Sequence, residues 1–348
     1  MANDPFFRNL LAPPVGSDVA EQVGLELSTI LFDPAQPIET KRHVAYYMAQ
    51  VHEYRGEWDR VAKMLDYSGI SIGRDDDSYD FLAHAGWTHV FRQGQNEAIS
   101  RGVPAIYIVS LPQSGSSFVT AFVCAALGIE KCRTTKGPYM SSRLIHAWLS
   151  TFARGGAATH EHFIATPENI AVLETSDIST ILVHVRHPLA TLISGFRLHQ
   201  NSDDADVEFF LKRLRIDLKP SDLRDKINGL ANFASIFLPF IMQFMESWMN
   251  YSRRTNPKIK VHFSKYADET AAPTSFGERL ISLFHSDKHG IDVDRVMSKL
   301  QNEARDDGAH NFKGGVSNTL MSSIDNQTRT IIDAILKREV LEFYGYEV

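Results

Sequence analysis

The sequence has few cysteines, no excess of basic charge and no uninterrupted hydrophobic run of membrane-spanning length. Two cysteines, Cys124 and Cys132, among 348 residues cannot build a disulfide framework or a zinc site by themselves. The formal net charge of −6 argues against a surface that binds nucleic acid, for which a concentrated basic face is expected. A small anionic ligand in a local pocket remains compatible with this charge balance.

The longest apolar stretch, residues 233–244, predicts a core helix rather than a membrane anchor. Ser235, Pro239 and Gln243 interrupt it, and it is shorter than the roughly 20 residues that a spanning helix needs. At the N-terminus no basic segment leads into an apolar run, so we expect no secretory signal and a cytoplasmic location.

The length and the 43% hydrophobic content allow one large domain with a smaller attachment. Apolar residues such as Val44, Tyr47 and Met48 recur at helical spacing before residue 100. We therefore predict a helical N-terminal extension over residues 1–100 and an α/β domain over residues 101–348. A single tetratricopeptide-like helix pair is the alternative interpretation of the extension.

Short apolar, β-rich runs predict buried parallel strands at residues 105–111, 180–185 and 259–263. The loop 112–117 and a helical pattern over 118–127 follow the first run, while Pro188 and a helical pattern over 189–199 follow the second. Strands that alternate with helices predict a central parallel sheet with helices on both faces.

The loop after the first predicted strand has the composition of an anion-binding loop. Gly115 lets the backbone approach a ligand closely, and Ser114, Ser116 and Ser117 carry hydroxyl donors beside the positive end of the helix dipole. A serine-rich turn that merely caps the helix is the other interpretation. The loop lacks the Gly-Lys-Ser/Thr ending of a Walker A motif, which disfavours a nucleoside triphosphatase.

Several segments together resemble the family of sulfotransferases that use 3′-phosphoadenosine 5′-phosphosulfate (PAPS). Residues 112–118, Pro-Gln-Ser-Gly-Ser-Ser-Phe, resemble the family's 5′-phosphosulfate loop, typically Pro-Lys-Ser-Gly-Thr-Thr-Trp. Arg186, followed by His-Pro and eight residues later by Ser194, resembles the 3′-phosphate segment. Residues 312–318 resemble the loop that closes over the 3′-phosphate, and the matches run in the family's order over about residues 104–348.

The resemblance implies a P-loop-like sulfotransferase fold and transfer of a sulfuryl group from PAPS to a hydroxyl or amine, without a metal. The sequence does not identify the acceptor, because acceptor pockets are built from variable loops; a carbohydrate and a small metabolite are candidates, and a homo-oligomer is left open. The implied nucleotide contacts are Gln113, Ser114, Gly115, Ser116, Ser117, Phe118, Arg186, Ser194, Lys313 and Gly314.

A histidine supplies the general base in many members of the family, and the chain has two candidates. The family pattern aligns best with His162, and His160 and Glu161 are the alternatives. The two histidines could also hold a metal, but no third ligand is recognisable in the sequence.

The main departure from the family is Gln113, which stands where a lysine contacts the phosphosulfate. Loss of a positive charge beside a developing anion costs roughly 3–4 kcal/mol of barrier. Either another cation such as Arg133 or Lys136 replaces it, or catalysis is slow, or the chain is a module that only binds the nucleotide.

Overall fold

The protein is an α/β fold around a five-stranded parallel sheet, as the sequence predicts. The computed structural model describes residues 17–38, scattered positions from 40 to 64, 95–132, 134–136, 142–144, 146–204, 207–208, 211, 218–225, 228–284, 291–306 and 324–347. Most of the predicted N-terminal helix pair therefore lies outside the described residues.

The main sheet has the strand order β2-β5-β1-β6-β7, and each neighbouring pair runs parallel. A separate antiparallel pair is formed by β3 and β4. The strands are β1 (Ala105–Ser110), β2 (Glu130–Lys131), β3 (Thr135–Lys136), β4 (Arg143–Leu144), β5 (Ala157–Glu161), β6 (Thr180–Val185) and β7 (Lys260–Lys265).

Helices surround the sheet, and several begin at residues that the local sequence explains. Pro188 opens its helix at the first position, where a missing N–H costs nothing, as predicted. The helices are α1 (Ser17–Phe32), α2 (Ser116–Leu127), α3 (His146–Ala153), α4 (Pro167–Glu174), α5 (Pro188–Asn201), α6 (Pro220–Arg224), α7 (Gly229–Ser252), α8 (Tyr266–Ala271), α9 (Pro273–Phe284), α10 (Val293–Asp306), α11 (Asn326–Ile335) and α12 (Arg338–Phe343).

Both faces of the sheet are covered, because alternate residues of β1 enter two separate cores. Tyr107 and Val109 belong to a large core that includes side chains of α7. Ile106 and Ile108 belong to a second core with side chains of α2, α9 and α10. This period of two is what a strand requires when helices pack on each side of it.

The apolar stretch at 233–244 forms the middle of α7. Among the described helices, α7 is the one long and apolar enough to cross a membrane by length and composition. Many of its side chains, including Phe244 and Trp248, are completely buried in the first core. Such burial is typical of a core helix, and a core helix can be as long and as apolar as a membrane-spanning one.

The connections of the sheet diverge between β1 and β6. From β1 the chain passes through α2 toward β2 at one edge of the sheet, whereas from β6 it passes through α5 and α7 to β7 at the other edge. In parallel α/β sheets, ligands bind at the carboxyl ends of the strands where the connections diverge in this way. The loops after β1 and β6 are therefore the expected location of a site.

Candidate functional site at the carboxyl ends of β1 and β6

The loop between β1 and α2 contains two residues with left-handed backbone conformation. Gln113 has φ 62° and Gly115 has φ 85°. A Cβ atom on Gly115 would lie 2.7 Å from Cδ2 of Tyr266 and 3.0 Å from Oε2 of Glu269. Gly115 is therefore required both by its backbone conformation and by the close packing of the loop on α8.

The two residues of the predicted 3′-phosphate segment both contact this loop through Gln113. Nη1 of Arg186 donates to the Gln113 carbonyl oxygen at 3.0 Å, and Oγ of Ser194 donates to Oε1 of Gln113 at 3.3 Å. The guanidinium carbon of Arg186 lies 4.3 Å from the centre of the Tyr266 ring. Residues that the sequence predicts in the two segments are thus brought together at the carboxyl ends of β1 and β6.

Arg186 is a half-buried cation, and burial and the neighbouring groups shift its pKa in opposite directions. Burial lowers the pKa of Arg186, while the nearby groups of Tyr266, Glu269 and Tyr346 act in the opposite direction. Arginine stays charged in this environment because its ordinary pKa lies far above neutral pH. A guanidinium has several N–H donors, so the contact with Gln113 uses only part of its capacity.

The remaining residues of the predicted loop have different environments. The buried Ser114 donates its hydroxyl hydrogen to the Leu111 carbonyl at 2.6 Å, so this side chain holds the turn together. Ser116 is also buried, whereas Ser117 at the start of α2 is exposed. Phe118, which the family resemblance implies as a nucleotide contact, is only 7% exposed and packs in the second core.

The two candidate bases lie at the carboxyl end of β5, on the other side of the loop from β6. Nδ1 of His162 lies 2.8 Å from the Ser110 carbonyl oxygen, which can only accept, so Nδ1 carries the hydrogen and Nε2 the lone pair. Nδ1 of His160 lies 3.0 Å from Oγ1 of Thr120 in the second turn of α2. The ring centres of the two histidines are 5.4 Å apart.

Glu161 is a poor candidate for the base because its carboxylate is buried and occupied. Its oxygens accept hydrogen bonds from the N–H of Thr134 at 2.6 Å, from Oγ1 of Thr135 at 2.6 Å and from Oγ1 of Thr159 at 3.1 Å. Such a carboxylate fixes the segment after β2 against the sheet and has little capacity left for a substrate proton.

The described residues contain no group of three or more histidine, cysteine, aspartate or glutamate side chains that could hold a metal. Lys313, Gly314 and Arg133 lie outside the described residues, as does the side chain of Lys136. Their predicted roles stay predictions.

Three further side chains lie against the loop and were not predicted from the sequence: His184, Tyr266 and Glu269. His184 is fully buried, with Nε2 2.7 Å from the Ser114 carbonyl oxygen. A histidine inside the otherwise apolar run of β6 was the signal that could have found it. Tyr266 and Glu269 lie on α8, and their role depends on tertiary packing that no local pattern reveals.

Comparison of the sequence with models of protein families and with curated proteins finds no match to either.

Proposed function

We propose that the protein is a P-loop-like sulfotransferase that transfers a sulfuryl group from PAPS to a hydroxyl or amine acceptor. The observation that carries this proposal is the contact of Arg186 and Ser194 with Gln113, which are 73 and 81 positions away in the sequence. The loop at residues 112–118 and the segment at residues 186–194 both resemble phosphate-binding segments of that family. The two segments lie together beside the N-terminus of α2, where hydrogen-bond donors suit phosphate oxygens.

The proposed reaction is an in-line displacement at sulfur. The acceptor oxygen or nitrogen bonds to sulfur while the bond from sulfur to the bridging phosphate oxygen breaks, and 3′-phosphoadenosine 5′-phosphate (PAP) leaves. His162 takes the acceptor proton on Nε2, because its Nδ1–H is held by the Ser110 carbonyl. His160, anchored through Thr120, is the alternative base.

Arg186 can supply the positive charge that the loop lacks because Gln113 stands in place of the family's lysine. Its guanidinium touches the backbone of Gln113 itself, so a permanent positive charge lies beside the position where the family has lysine. This charge favours an anion at the loop. The uncharged Gln113 side chain favours a second candidate, a catalytically weak or inactive module that binds PAPS or PAP.

Ligand-dependent thermal stability tests the nucleotide site. PAP at about one hundred times its Kd should stabilise the protein by roughly 2.7 kcal/mol, while AMP and ATP should stabilise it much less. Equal stabilisation by AMP would contradict a specific 3′-phosphate site. Turnover of labelled PAPS with a panel of carbohydrate and small-metabolite acceptors then separates the enzyme from the binding module. A cytoplasmic location and a homo-oligomeric state stay predictions.

A further inference from the structure

His184 connects the interior of the sheet to the backbone of the loop. Its Nε2 lies 2.7 Å from the carbonyl oxygen of Ser114, and its Nδ1 lies 2.8 Å from Oγ of Ser264 on the neighbouring strand β7. A carbonyl oxygen only accepts hydrogen bonds, so the hydrogen on Nε2 is donated to Ser114. The hydroxyl of Ser264 can donate to Nδ1 and thereby fix the orientation of the ring.

This hydrogen bond determines which way the next peptide N–H points. In a trans peptide the C=O and the following N–H point in opposite directions. Because the fully buried His184 draws the Ser114 carbonyl toward the interior, the N–H of Gly115 is turned away from His184.

Glu269 lies behind this arrangement. Its Oε2 is 3.4 Å from Nε2 of His184, and no hydrogen bond reaches this buried oxygen from the described residues. The shorter contact with Ser114 therefore takes the Nε2 hydrogen, and Glu269 acts by charge. Burial raises the pKa of Glu269 above its ordinary value, although His184 and Arg186 act in the opposite direction. A carboxylate here favours the ring tautomer that carries its hydrogen on Nε2.

We propose that His184, supported by Glu269, is a positioning residue that fixes the Ser114–Gly115 peptide so that the N–H of Gly115 is available to a phosphate-type anion. The inference deepens the proposed function and rests on it for the identity of the anion. Anion sites at helix N-termini depend on outward-pointing N–H groups, and a carbonyl rotated into the same space would repel the ligand.

Substitutions at His184 test the inference, with PAP as the probe and calorimetry as the assay. His184→Leu removes the donor and should weaken PAP at least about tenfold, whereas His184→Gln, which retains an N–H donor at similar reach, should restore most of the affinity. His184→Asn is polar but too short for this contact, so it replaces His184→Leu if that variant does not fold. His262→Leu, on β7, is the matched control and should bind PAP as the wild type does.

A second measurement needs no ligand. Labelling serine carbonyl carbons with ¹³C and glycine nitrogens with ¹⁵N marks the three Ser-Gly peptides of the sequence, 68–69, 114–115 and 194–195. The 114–115 resonance should move in His184→Leu and return in His184→Gln, while the other two stay in place. This pattern reports the hydrogen bond to the Ser114 carbonyl directly.

The two measurements keep the inference and the proposed function distinguishable. Wild type that binds PAP, with affinity lost in His184→Leu and regained in His184→Gln, supports both. Equal PAP affinity in all variants, or an unmoved 114–115 resonance, overturns the positioning role. If the wild type binds no PAP, the proposed function fails, and the resonance alone decides whether His184 positions the loop.

Discussion

Replacement of Gly115 by alanine tests the close packing of the loop on α8. The chain offers a matched control, because Gly102 has a similar backbone conformation, with φ 76° against 85°, but a Cβ there would meet nothing within 4 Å. Both substitutions incur the cost of a left-handed L-residue, roughly 1–2 kcal/mol. Only Gly115→Ala also drives a methyl group into Tyr266 and Glu269.

The additional contact sets the expected difference between the two variants. Overpacking of this kind costs about 1–3 kcal/mol, so Gly115→Ala should lose roughly 2–5 kcal/mol and Gly102→Ala about 1–2 kcal/mol. An unfolding entropy of about 2.1 cal/mol/K per residue over 348 residues converts each 1 kcal/mol into roughly 1.4 °C of Tm. Gly115→Ala should therefore melt about 3–7 °C below the wild type and Gly102→Ala about 1–3 °C below it.

Thermal melts by circular dichroism, run at one protein concentration, measure both variants. Equal losses of Tm in Gly115→Ala and Gly102→Ala would refute the packing of the loop against Tyr266. PAP should also bind more weakly to Gly115→Ala than to Gly102→Ala, because any shift that relieves the contact moves the loop backbone.

Arg186→Ala should weaken PAP at least about tenfold by calorimetry, while Arg253→Ala, which breaks a surface ion pair, should leave it unchanged; equal affinities would contradict the phosphate role. His162→Ala should lower kcat by about 10²–10⁴ with PAP affinity kept, and His160→Ala should be milder; the reverse order would move the base. Burial lowers the pKa of His199 from 6.5 to about 4, so the unfolded chain binds the proton first as the pH falls. This group alone should therefore lower the stability by up to roughly 3 kcal/mol between about pH 6.5 and 4, and His199→Leu should make the fall of Tm over this range shallower; an unchanged fall would refute the buried environment of His199.

The strands that the sequence reveals are those whose own side chains are apolar. β6 has the predicted bounds, and β1 ends one residue earlier than predicted, because a strand between two others needs hydrophobic residues on both faces. β7 extends to Lys265, since polar Ser264 and Lys265 still pair in register with β6. β5 (Ala157–Glu161) was not predicted as a strand, because small and polar residues carry no such pattern and its place is set by pairing with β1.

The site divides in the same way between local and tertiary information. Arg186 and Ser194 were predicted because they resemble, in spacing, the family's 3′-phosphate segment, and they lie in one strand-to-helix unit, β6 and α5. His184, Tyr266 and Glu269 were not predicted as part of the site, because they meet the loop only after β6, β7 and α8 have assembled. Local sequence thus predicts Arg186 and Ser194 better than it predicts the buried residues that pack against the loop.

The present contacts of Gln113 also bear on how tightly an anion can bind. Gln113 holds a left-handed backbone, and it accepts hydrogen bonds from the two donors assigned to phosphate, Arg186 and Ser194. A phosphate that takes these same hydrogens must replace the bonds to Gln113, so only the difference between old and new contacts appears as affinity. Because a charged acceptor forms stronger hydrogen bonds than a neutral amide or carbonyl, the exchange favours the anion. Under the proposed function, the anionic ligand thus replaces the contacts that hold the loop in shape in its absence.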